Sequence, residues 1–315
     1  MTRRNLLLST AAASAAIPAW AASLPVIDTH IHLFDPRRKP GIPWPPKDNA
    51  KLYKPALPAR YRALVKPFNV RGAVMVECSP LLDDNQWVLD IIEKDKIMVG
   101  MIGDLEPDHA GFGKQLERFR RNPLFLGIRY GNLWGRDFHA AISKPAFLEG
   151  VKLLADAGLT LDTANPDPAL IADLLRLTER VPNLRLVVDH LPKLEPPTDM
   201  AALAAYKKTL AELAQRPLSY VKLSAVLRMV DGKVPEDVNF YRDRLDTLFG
   251  LFGEDRVVYG SDWPNSDNVA EYPAVFKVVS DYFGAKTPAQ REKYFWRNSI
   301  AAYRWKKRDA SQPAA

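Results

Sequence analysis

The segment VIDTHIHLFDP, residues 26–36, has the composition of a β-strand and carries Asp28, His30 and His32 at every second position. In an extended strand, alternate side chains point to the same side, so this spacing predicts that the three side chains share one face. The whole chain contains five histidines, and two of them lie in this strand. A carboxylate and two imidazoles in an apolar strand therefore predict one wall of a polar site.

Similar strand-like runs recur along the chain, and each is followed by a longer amphipathic stretch of helical period. The eight runs span residues 26–33, 72–78, 98–104, 126–130, 159–163, 184–189, 220–224 and 257–261. Helix-end signals support the intervening helices, since one pattern ends at Gly158 and another begins with Asp167 and Pro168. This alternation predicts an α/β fold, a (β/α)8 TIM barrel, with residues 287–307 as an extra C-terminal helix.

The competing architecture is an open, doubly wound sheet, in which a glycine-rich phosphate loop commonly follows the first strand. No such loop follows any of the eight runs in the sequence, so closure into a barrel is favoured. The proline-rich stretch 36–58 follows the first strand and is too long for a simple turn. It is therefore expected at the C-terminal mouth of the barrel, folded over the opening.

The first 22 residues are expected to be a signal peptide that precedes a single folded domain of residues 23–315. They combine a basic start at Arg3 and Arg4, an apolar middle, and small residues around a predicted cut after Ala21 or Ala22. The paired arginines resemble a twin-arginine export signal, with a general secretory signal as the alternative. The mature protein is therefore expected to be periplasmic or secreted.

The charge balance argues against a dedicated nucleic-acid-binding protein. The formal net charge of +7 would fall to +5 on loss of the predicted signal, and the basic residues are spread along predicted helices. No apolar run reaches the roughly 20 residues of a membrane span. Cys78 is the single cysteine, which excludes an internal disulfide and a cysteine-rich metal site. The expected partner is a small-molecule substrate, without nucleic acid or membrane, and the oligomeric state stays open.

Polar residues follow several of the predicted strands, and in a TIM barrel such residues gather at one mouth. The sixth strand ends in Asp189 and His190, and Asp262 follows the eighth. Other residues expected at this mouth are Glu77, Ser79, Arg129, Trp134, Arg136, Asp162, Lys222, Ser224, Arg228, Trp263 and Asn265. The sequence thus predicts that three imidazoles and one carboxylate converge there. Ideal strand parity turns Asp189 away from His190, toward the helices.

Four segments together resemble the amidohydrolase superfamily: IDTHIH (27–32), DHLPK (189–193), YGSDWP (259–264) and the closing helix YFWRNSIAAY (294–303). They are most similar to its branch of sugar-acid lactonases and 2-pyrone-4,6-dicarboxylate lactonase. The first motif alone has low specificity, whereas the three motifs in this order are highly specific. The resemblance extends over nearly all of the chain that follows the predicted signal, and it implies a hydrolase with its site at the mouth of a TIM barrel.

The resemblance also implies roles for individual residues. His30, His32 and His190 are the implied catalytic imidazoles, and Asp262 is the implied base that activates water. The implied substrate contacts are Arg129, Arg136, Arg228 and Ser79, with Trp263 expected beside them at the rim. Each arginine is equally suited to a loop-anchoring salt bridge.

Two departures from the family pattern bear on substrate and metal. Where some members of the branch present an aromatic hydroxyl on the fifth strand, this chain has Asp162, which favours hydrogen bonds to sugar hydroxyls over a dianionic pyrone. No lysine ends the fourth strand, so a two-metal centre is not expected. The expected cofactor is one divalent, zinc-like ion on His30, His32, His190 and Asp262, or no metal, and no organic cofactor.

The expected reaction is the hydrolysis of a lactone, in which Asp262 takes a proton from water. The imidazoles stabilise the oxyanion directly or through the ion. Asp28 is expected to orient one imidazole, and Lys222 is equally suited to a substrate contact or to a buried ion pair. Two alternatives stay open: a metal-dependent decarboxylase of an aromatic or unsaturated acid, and a periplasmic barrel that binds a sugar acid without catalysis.

Overall fold

Eight parallel β-strands form one sheet in which each strand pairs with the next one along the chain. The protein is described by a computed structural model that covers residues 18–39 and 41–314. The strands are β1 (Val26–Ile31), β2 (Val70–Val76), β3 (Met98–Gly103), β4 (Phe125–Gly131), β5 (Thr160–Ala164), β6 (Arg185–Val188), β7 (Ser219–Lys222) and β8 (Val257–Val258). All eight predicted strands are therefore present, and the prediction of an α/β barrel is confirmed.

Hydrogen bonds between β1 and the segment that follows β8 bring the two edges of the sheet together. The Thr29 amide donates to the Tyr259 carbonyl at 3.0 Å, and the Asp262 amide donates to the His30 carbonyl at 2.8 Å. The His32 amide donates to the Trp263 carbonyl at 2.7 Å. Because β8 itself is only two residues long, these main-chain contacts beyond its end join the edges into a barrel.

Helices alternate with the strands and cover the outside of the barrel. They are α1 (Ala19–Ser23), α2 (Pro58–Val65), α3 (Leu82–Ile92), α4 (Phe112–Arg120), α5 (Phe138–Ile142), α6 (Pro145–Asp156), α7 (Pro168–Arg180), α8 (Met200–Ala214), α9 (Arg242–Phe252), α10 (Tyr272–Gly284), α11 (Pro288–Glu292) and α12 (Asn298–Tyr303). Local sequence explains several starts, since the carboxylates of Asp137, Asp167 and Asp199 each accept a main-chain N–H bond at an N-terminus.

Two apolar cores follow from the two faces of the sheet. A large core lies between the strands and the helices, and a smaller one fills the barrel. The inner core includes Ile27, Val74, Val99, Leu126 and Val187, one from each of five strands. Trp296, Tyr303 and Trp305 belong to the same inner cluster, so the C-terminal helix closes the end of the barrel opposite the mouth.

The predicted C-terminal helix is present, although it is not regular throughout. α11 continues through a π-helical turn at Lys293–Arg297 into α12, which ends at Tyr303. Beyond it, the guanidinium of Arg308 donates to the main-chain carbonyls of Ile92, Glu93 and Met98 at 2.6–2.8 Å. The tail thus satisfies carbonyls at the C-terminal end of α3 that the helix itself leaves without partners.

Replacing Arg308 by alanine is expected to lower the free energy of unfolding by about 2 kcal/mol, because several charge-assisted hydrogen bonds are lost together. The change lies at the end of the barrel opposite the mouth, so kcat and KM for any substrate are expected to stay the same. Urea denaturation followed by circular dichroism measures the effect. Lys307→Ala, an exposed neighbour on the same tail, is the matched control, and equal stabilities for the two variants would contradict the role given to Arg308.

The segment between β1 and α2 lies across the mouth, as its length predicts. Phe34 and Ala56 form an antiparallel bridge that closes the base of this excursion. The Trp44 ring lies 5.5 Å from the His32 ring, centroid to centroid, and Arg38 forms a 2.6 Å salt bridge with Asp84 at the start of α3. The excursion therefore covers the β1–β2 side of the mouth and contacts an imidazole of the predicted site.

The predicted signal peptide falls mainly on residues 1–17, which lie outside the described residues. The described part begins with Pro18 and forms α1, in which the Trp20 ring packs on Phe295 with centroids 5.8 Å apart. Export and cleavage therefore stay predictions. Within residues 18–39 and 41–314, no helix has both the length and the apolar character needed to cross a bilayer.

Candidate active site

The alternation of β1 changes phase between Asp28 and Ile31, where its pairing with β2 is irregular. Ile27 lies in the inner core, yet the Asp28 carboxylate accepts from the Tyr61 hydroxyl of α2 at 2.7 Å, on the outside of the barrel. After the irregularity, His30 and His32 point inward. The prediction that Asp28 shares their face was wrong, because a bulge resets the parity of the strand.

Asp28 also does not contact an imidazole ring in the described structure. Its Oδ1 accepts from the main-chain amides of Ser261, at 2.8 Å, and of His30, at 3.2 Å. The carboxylate therefore joins β1 to the segment after β8 and holds the seam of the barrel in register. Asp28 thus positions the main chain at the seam, whereas the role predicted from the sequence was to orient an imidazole.

Three imidazoles and one carboxylate meet at the mouth, as the sequence predicts. Asp262 Oδ1 lies 3.1 Å from His32 Nε2, 3.6 Å from His190 Nε2 and 3.7 Å from His30 Nε2. The His30 ring lies 4.9 Å from the His32 ring and 4.2 Å from the His190 ring, between centroids. One carboxylate oxygen is thus shared by three ring nitrogens, while Asn265 donates to the other oxygen at 2.8 Å.

Left-handed backbone conformations place two members of this cluster. His190 has φ of 51° and Asp262 has φ of 62°, both in a region that non-glycine residues seldom adopt. Each residue follows its strand directly or within a few positions, so the turn aims its side chain at the barrel axis. Strain of this kind is concentrated at functional sites, where the surrounding structure holds it in place.

The same turn accounts for an error in the expected direction of Asp189. Val187 lies in the inner core and Val188 in the outer one, so Asp189 continues the alternation and points inward, whereas the left-handed turn brings His190 to the same side. Asp189 Oδ1 lies 2.9 Å from Lys222 Nζ inside the barrel, and the Asp189 side chain is fully buried. Asp189 therefore points inward beneath His190 and does not face the helices.

Hydrogen bonds at Nδ1 hold the rings of His32 and His190 with Nε2 directed at Asp262. His32 Nδ1 lies 2.8 Å from the Val76 carbonyl, which can only accept, so this nitrogen carries a proton. In the neutral ring, Nε2 is then an acceptor that faces the Asp262 carboxylate, another acceptor. A proton or a cation between the two atoms makes this contact favourable. His190 Nδ1 is paired with the Ser224 hydroxyl at 2.8 Å.

The electrostatic environment keeps Asp262 ionised and His190 neutral. Burial alone would raise the pKa of Asp262, but its interactions with His190, His32 and His30 outweigh the burial and lower that pKa. Burial lowers the pKa of His190 to about 4, against the attraction of Asp262 and Asp189. A carboxylate base is therefore available at neutral pH.

The donor set fits a divalent metal ion. His30, His32 and Asp262 offer ligand atoms that all lie within 4.8 Å of one another, and imidazole nitrogen with carboxylate oxygen suits zinc. His30 Nε2 is buried and has no hydrogen-bond partner among the described residues. His190 belongs instead to a second group, with His30 and Asp189. The structure therefore brings three of the four predicted ligands together, and His30 is common to both groups.

A layer of charged residues lies beneath the imidazoles, inside the barrel. Lys222 Nζ donates to Asp162 Oδ2 at 2.7 Å and lies 3.2 Å from His30 Nδ1. The Tyr303 hydroxyl donates to the same Asp162 oxygen at 2.8 Å. Of the two roles left open for Lys222, the buried ion pair is the one present. Asp162 is fully buried in this layer, which contradicts its predicted contact with substrate hydroxyls at the rim.

Arg129 is held by Glu77 on the neighbouring part of the mouth. Its Nε donates to Glu77 Oε1 at 2.7 Å, and its Nη2 donates to the Glu77 carbonyl at 2.5 Å. The Trp134 ring N–H donates to the other oxygen of the same carboxylate at 3.1 Å, and Asp189 Oδ2 lies 3.7 Å from Arg129 Nη1. Arg129 therefore lies close to the cluster, with its guanidinium already oriented by a buried carboxylate.

The remaining predicted substrate residues, Arg136, Arg228 and Ser79, differ in the partners that they contact within the protein. The guanidinium of Arg136 donates to both carboxylate oxygens of Asp104, at 2.9 Å and 2.6 Å, and Arg228 is paired with Glu195. Both arginines thus anchor loops, which is the alternative that the sequence left open. Ser79 lies at the end of β2 with 8% of its surface exposed, next to the Glu77 carboxylate that accepts its main-chain N–H.

Trp263 lies outside the barrel wall, away from the rim where it was expected. Its ring packs against Tyr61 of α2 at 5.3 Å between centroids, and only 1% of the residue is exposed. The turn at Asp262 points that side chain inward, and the next side chain consequently points outward. Trp263 therefore supports the seam between the strand ends and α2.

Trp44 was not singled out from the sequence, and Glu77 was expected at the mouth without a role, although both residues carry a signal. Trp44 stands in the excursion with prolines on both sides of it, a rigid setting for a side chain over an opening. Glu77 precedes Ser79 by two positions, the same spacing as in the histidine pair of β1. The partners of both residues come from distant parts of the chain, so only the fold identifies them.

Comparisons with known proteins agree with this architecture. The sequence profile of the amidohydrolase family matches residues 27–305. An L-fucono-1,5-lactonase of Burkholderia ambifaria is 26% identical over 242 residues, which cover 76% of this chain and 80% of the relative. An L-rhamnono-gamma-lactonase of Scheffersomyces stipitis is 24% identical, and the match covers 88% of this chain and 98% of the relative.

A solved structure supports the fold independently. The crystal structure of an amidohydrolase from Burkholderia multivorans with bound zinc has a TM-score of 0.77 to this chain and is 21% identical. The match covers 89% of this chain and 99% of that one.

Proposed function

This chain belongs to the amidohydrolase family, and from that premise we propose that it hydrolyses the lactone of a sugar acid or a related carboxylated lactone. The names of its relatives support a lactone as the class of substrate. The observation that carries the proposal is the shared oxygen of Asp262, within 3.1–3.7 Å of three imidazole nitrogens at the mouth. An ionised carboxylate in that position is suited to take a proton from a water molecule.

The proposed reaction begins with water held between Asp262 and the lactone carbonyl carbon. Asp262 takes one proton as the water oxygen forms a bond to that carbon. The carbonyl oxygen becomes an oxyanion, for which a ring N–H at the mouth is a suitable donor. When the bond to the ring oxygen breaks, the departing alkoxide takes the proton back from Asp262. The product is the open hydroxy acid.

Asn265 and the excursion support this chemistry from two sides. Asn265 holds Asp262 Oδ2, so the base keeps Oδ1 directed at the imidazoles. Trp44 covers His32 and limits the access of bulk water to that side of the cluster. A divalent ion on His30, His32 and Asp262 would polarise the carbonyl as a Lewis acid and lower the pKa of a bound water.

A substrate panel tests the proposal and separates it from its alternatives. The panel contains 1,4- and 1,5-lactones of sugar acids, including the L-fucono and L-rhamnono lactones, assayed by acid release with and without added zinc. Resorcylate-type acids, assayed by release of carbon dioxide, represent the decarboxylase alternative. Turnover of at least one lactone, with no carbon dioxide from the acids, is the expected result. Thermal stabilisation by sugar acids without any turnover would favour the binding barrel instead.

The pH dependence of kcat/KM is expected to be flat between about pH 5 and pH 8 and to fall as the pH drops through about 4. The pKa of Asp262 lies below its ordinary value and that of His190 is lowered to about 4, so above this range Asp262 is ionised and His190 neutral. Below it, His190 gains a proton and forms an ion pair with Asp262, which makes the carboxylate a weaker base. Initial rates over this range, corrected for spontaneous lactone opening, check the profile. An acidic limb centred near pH 6.5 would contradict it.

Export from the cytoplasm is a further part of the proposal. The basic, apolar and small-residue pattern of residues 1–22 supports it, together with the paired Arg3 and Arg4. Expression in a bacterial host, with N-terminal sequencing of the periplasmic fraction, tests it. The expected N-terminus follows Ala21 or Ala22, and replacement of both arginines by lysine is expected to block the twin-arginine route only.

A further inference from the structure

Lys222 occupies a position beneath His30 that the proposed reaction does not use. Its side chain is fully buried at the end of β7, and its ammonium lies 2.7 Å from Asp162, 2.9 Å from Asp189 and 3.2 Å from His30 Nδ1. The contacts with Asp162 and His30 are hydrogen bonds, and the contact with Asp189 is an ion pair. The carboxylates of Asp162 and Asp189 on either side stabilise the charged ammonium form.

The contact with His30 has a defined direction. An ammonium can only donate a hydrogen bond, so His30 Nδ1 must accept and carries no proton. An imidazole whose Nδ1 accepts a hydrogen bond is neutral and keeps one ring proton. That proton is consequently on Nε2, the atom that faces Asp262 Oδ1 at 3.7 Å.

This arrangement differs from the usual environment of a metal-bound histidine. Such a histidine donates its distal N–H to a carboxylate or a carbonyl, which leaves the other nitrogen free to ligate. A carboxylate is near, since Asp189 Oδ1 lies 3.6 Å from His30 Nδ1, but that oxygen is engaged by Lys222 at the shorter distance of 2.9 Å. Lys222 therefore competes with His30 for Asp189, the carboxylate that would otherwise accept the Nδ1 proton and leave Nε2 free to bind a metal.

We propose that Lys222 is a positioning residue that fixes the proton of His30 on Nε2, which makes His30 a hydrogen-bond donor to the lactone carbonyl and weakens metal binding at the mouth. The position of the buried, unpartnered Nε2 atom supports the donor role among the described residues. The first half of the proposal rests on the function proposed above, whereas the effect on metal binding does not. His32 and Asp262 keep their orientation without Lys222, because other partners hold them.

The test compares the wild type and Asp162→Asn with the double variant Asp162→Asn/Lys222→Met. The double variant loses one positive and one negative charge, so the net buried charge equals that of the wild type, and Arg129 still faces Asp189. In its metal-free form, the His30 proton is expected on Nδ1, donated to Asp189. Zinc is then expected to bind about 10- to 100-fold more tightly than to the charge-matched wild type, the range typical of changes around metal-bound histidines.

Two readouts decide the outcome without any substrate. Nitrogen-15 NMR of histidine-labelled, metal-free protein reports which ring nitrogen of His30 carries the proton, and calorimetric titration with zinc gives the affinities. A wild-type proton on Nδ1, or equal zinc affinities of the wild type and the double variant, would overturn the proposal. If the double variant does not fold, the NMR measurement on the wild type and on Asp162→Asn still decides it.

Activity measurements distinguish this proposal from the proposed function. On a lactone that the wild type turns over without metal, the double variant is expected to lose kcat with little change in KM, while Asp162→Asn keeps most of its kcat. Lack of turnover of every lactone by a wild type with its proton on Nε2 would overturn the lactonase proposal. In that case, the zinc affinities would still support or refute the role of Lys222.

Discussion

Asp262→Asn is expected to lower kcat by about 10²- to 10⁴-fold, the contribution that a positioned general base makes. The asparagine side chain has nearly the same shape, but its amide cannot take a proton from water. It is also compatible with the backbone, since φ at this position is 62° and asparagine adopts left-handed conformations more readily than most residues. The fold is therefore expected to survive, and the loss to appear in kcat with little change in KM.

Steady-state kinetics on the lactone identified by the substrate panel check this effect, with thermal melting as the test of folding. Asp267→Asn is the matched control and is expected to keep full activity. Asp267 lies in the same loop, and its carboxylate makes a long contact of 3.9 Å with the Arg60 guanidinium. If Asp262→Asn kept more than about a tenth of the wild-type kcat, Asp262 could not be the base. If both variants lost activity equally, the effect would belong to the loop.

Arg129→Met is expected to lower the free energy of unfolding by about 3–5 kcal/mol, the cost of removing one member of a buried ion pair. The Glu77 carboxylate would then keep the Trp134 N–H as its side-chain partner. Glu77 has only 3% of its surface exposed, so water could not easily solvate the unpaired charge. Chemical denaturation of the purified variant measures the loss. A loss under about 1 kcal/mol would mean that water replaces the guanidinium beside Glu77.

The double variant Glu77→Gln/Arg129→Met separates the structural role of Arg129 from a role in substrate binding. Removal of both charges leaves no unpaired ion, so most of the stability is expected to return. A raised KM that persists in the stable double variant would assign Arg129 to the substrate as well. A return of both stability and KM to wild-type values would assign it to the scaffold alone.

The fold and the catalytic cluster follow from the sequence because they depend on local pattern. Eight β-branched runs separated by amphipathic stretches specify the barrel, and the mouth of a barrel collects whatever follows its strands. His30, His32, His190 and Asp262 were therefore predicted to meet from their positions along the chain, together with the family resemblance.

The misplaced residues share a different cause, which is the loss of strand alternation near the mouth. The irregularity in β1 brings His30 and His32 inward while Asp28 stays outside, and the left-handed turn at His190 brings that imidazole to the same side as Asp189. The left-handed turn at Asp262 likewise buries Trp263 against α2. A parity argument assumes a regular strand, and the functional end of a barrel strand is where regularity stops.

The arginines and Asp162 could not be assigned from sequence because their partners are distant. Arg136 meets Asp104 across 32 positions, and Lys222 meets Asp162 across 60. A charged residue after a strand is equally compatible with a substrate contact and with an ion pair until the neighbouring strands are known. The layer formed by Lys222, Asp162 and Asp189 is visible only in the folded barrel.

The seam of the barrel has a consequence for when the protein can first be active. His32 comes from the first strand, and Asp262 from the segment that pairs with it after the last, so the base and its nearest imidazole sit 230 positions apart. A nascent chain on the ribosome therefore carries two histidines of the cluster for most of its synthesis without a base to act with them. If Asp262 acts as the proposed base, activity requires the late-made segment to dock onto the earliest strand, and any fragment that stops short of residue 262 is expected to be inactive however well its remaining helices form.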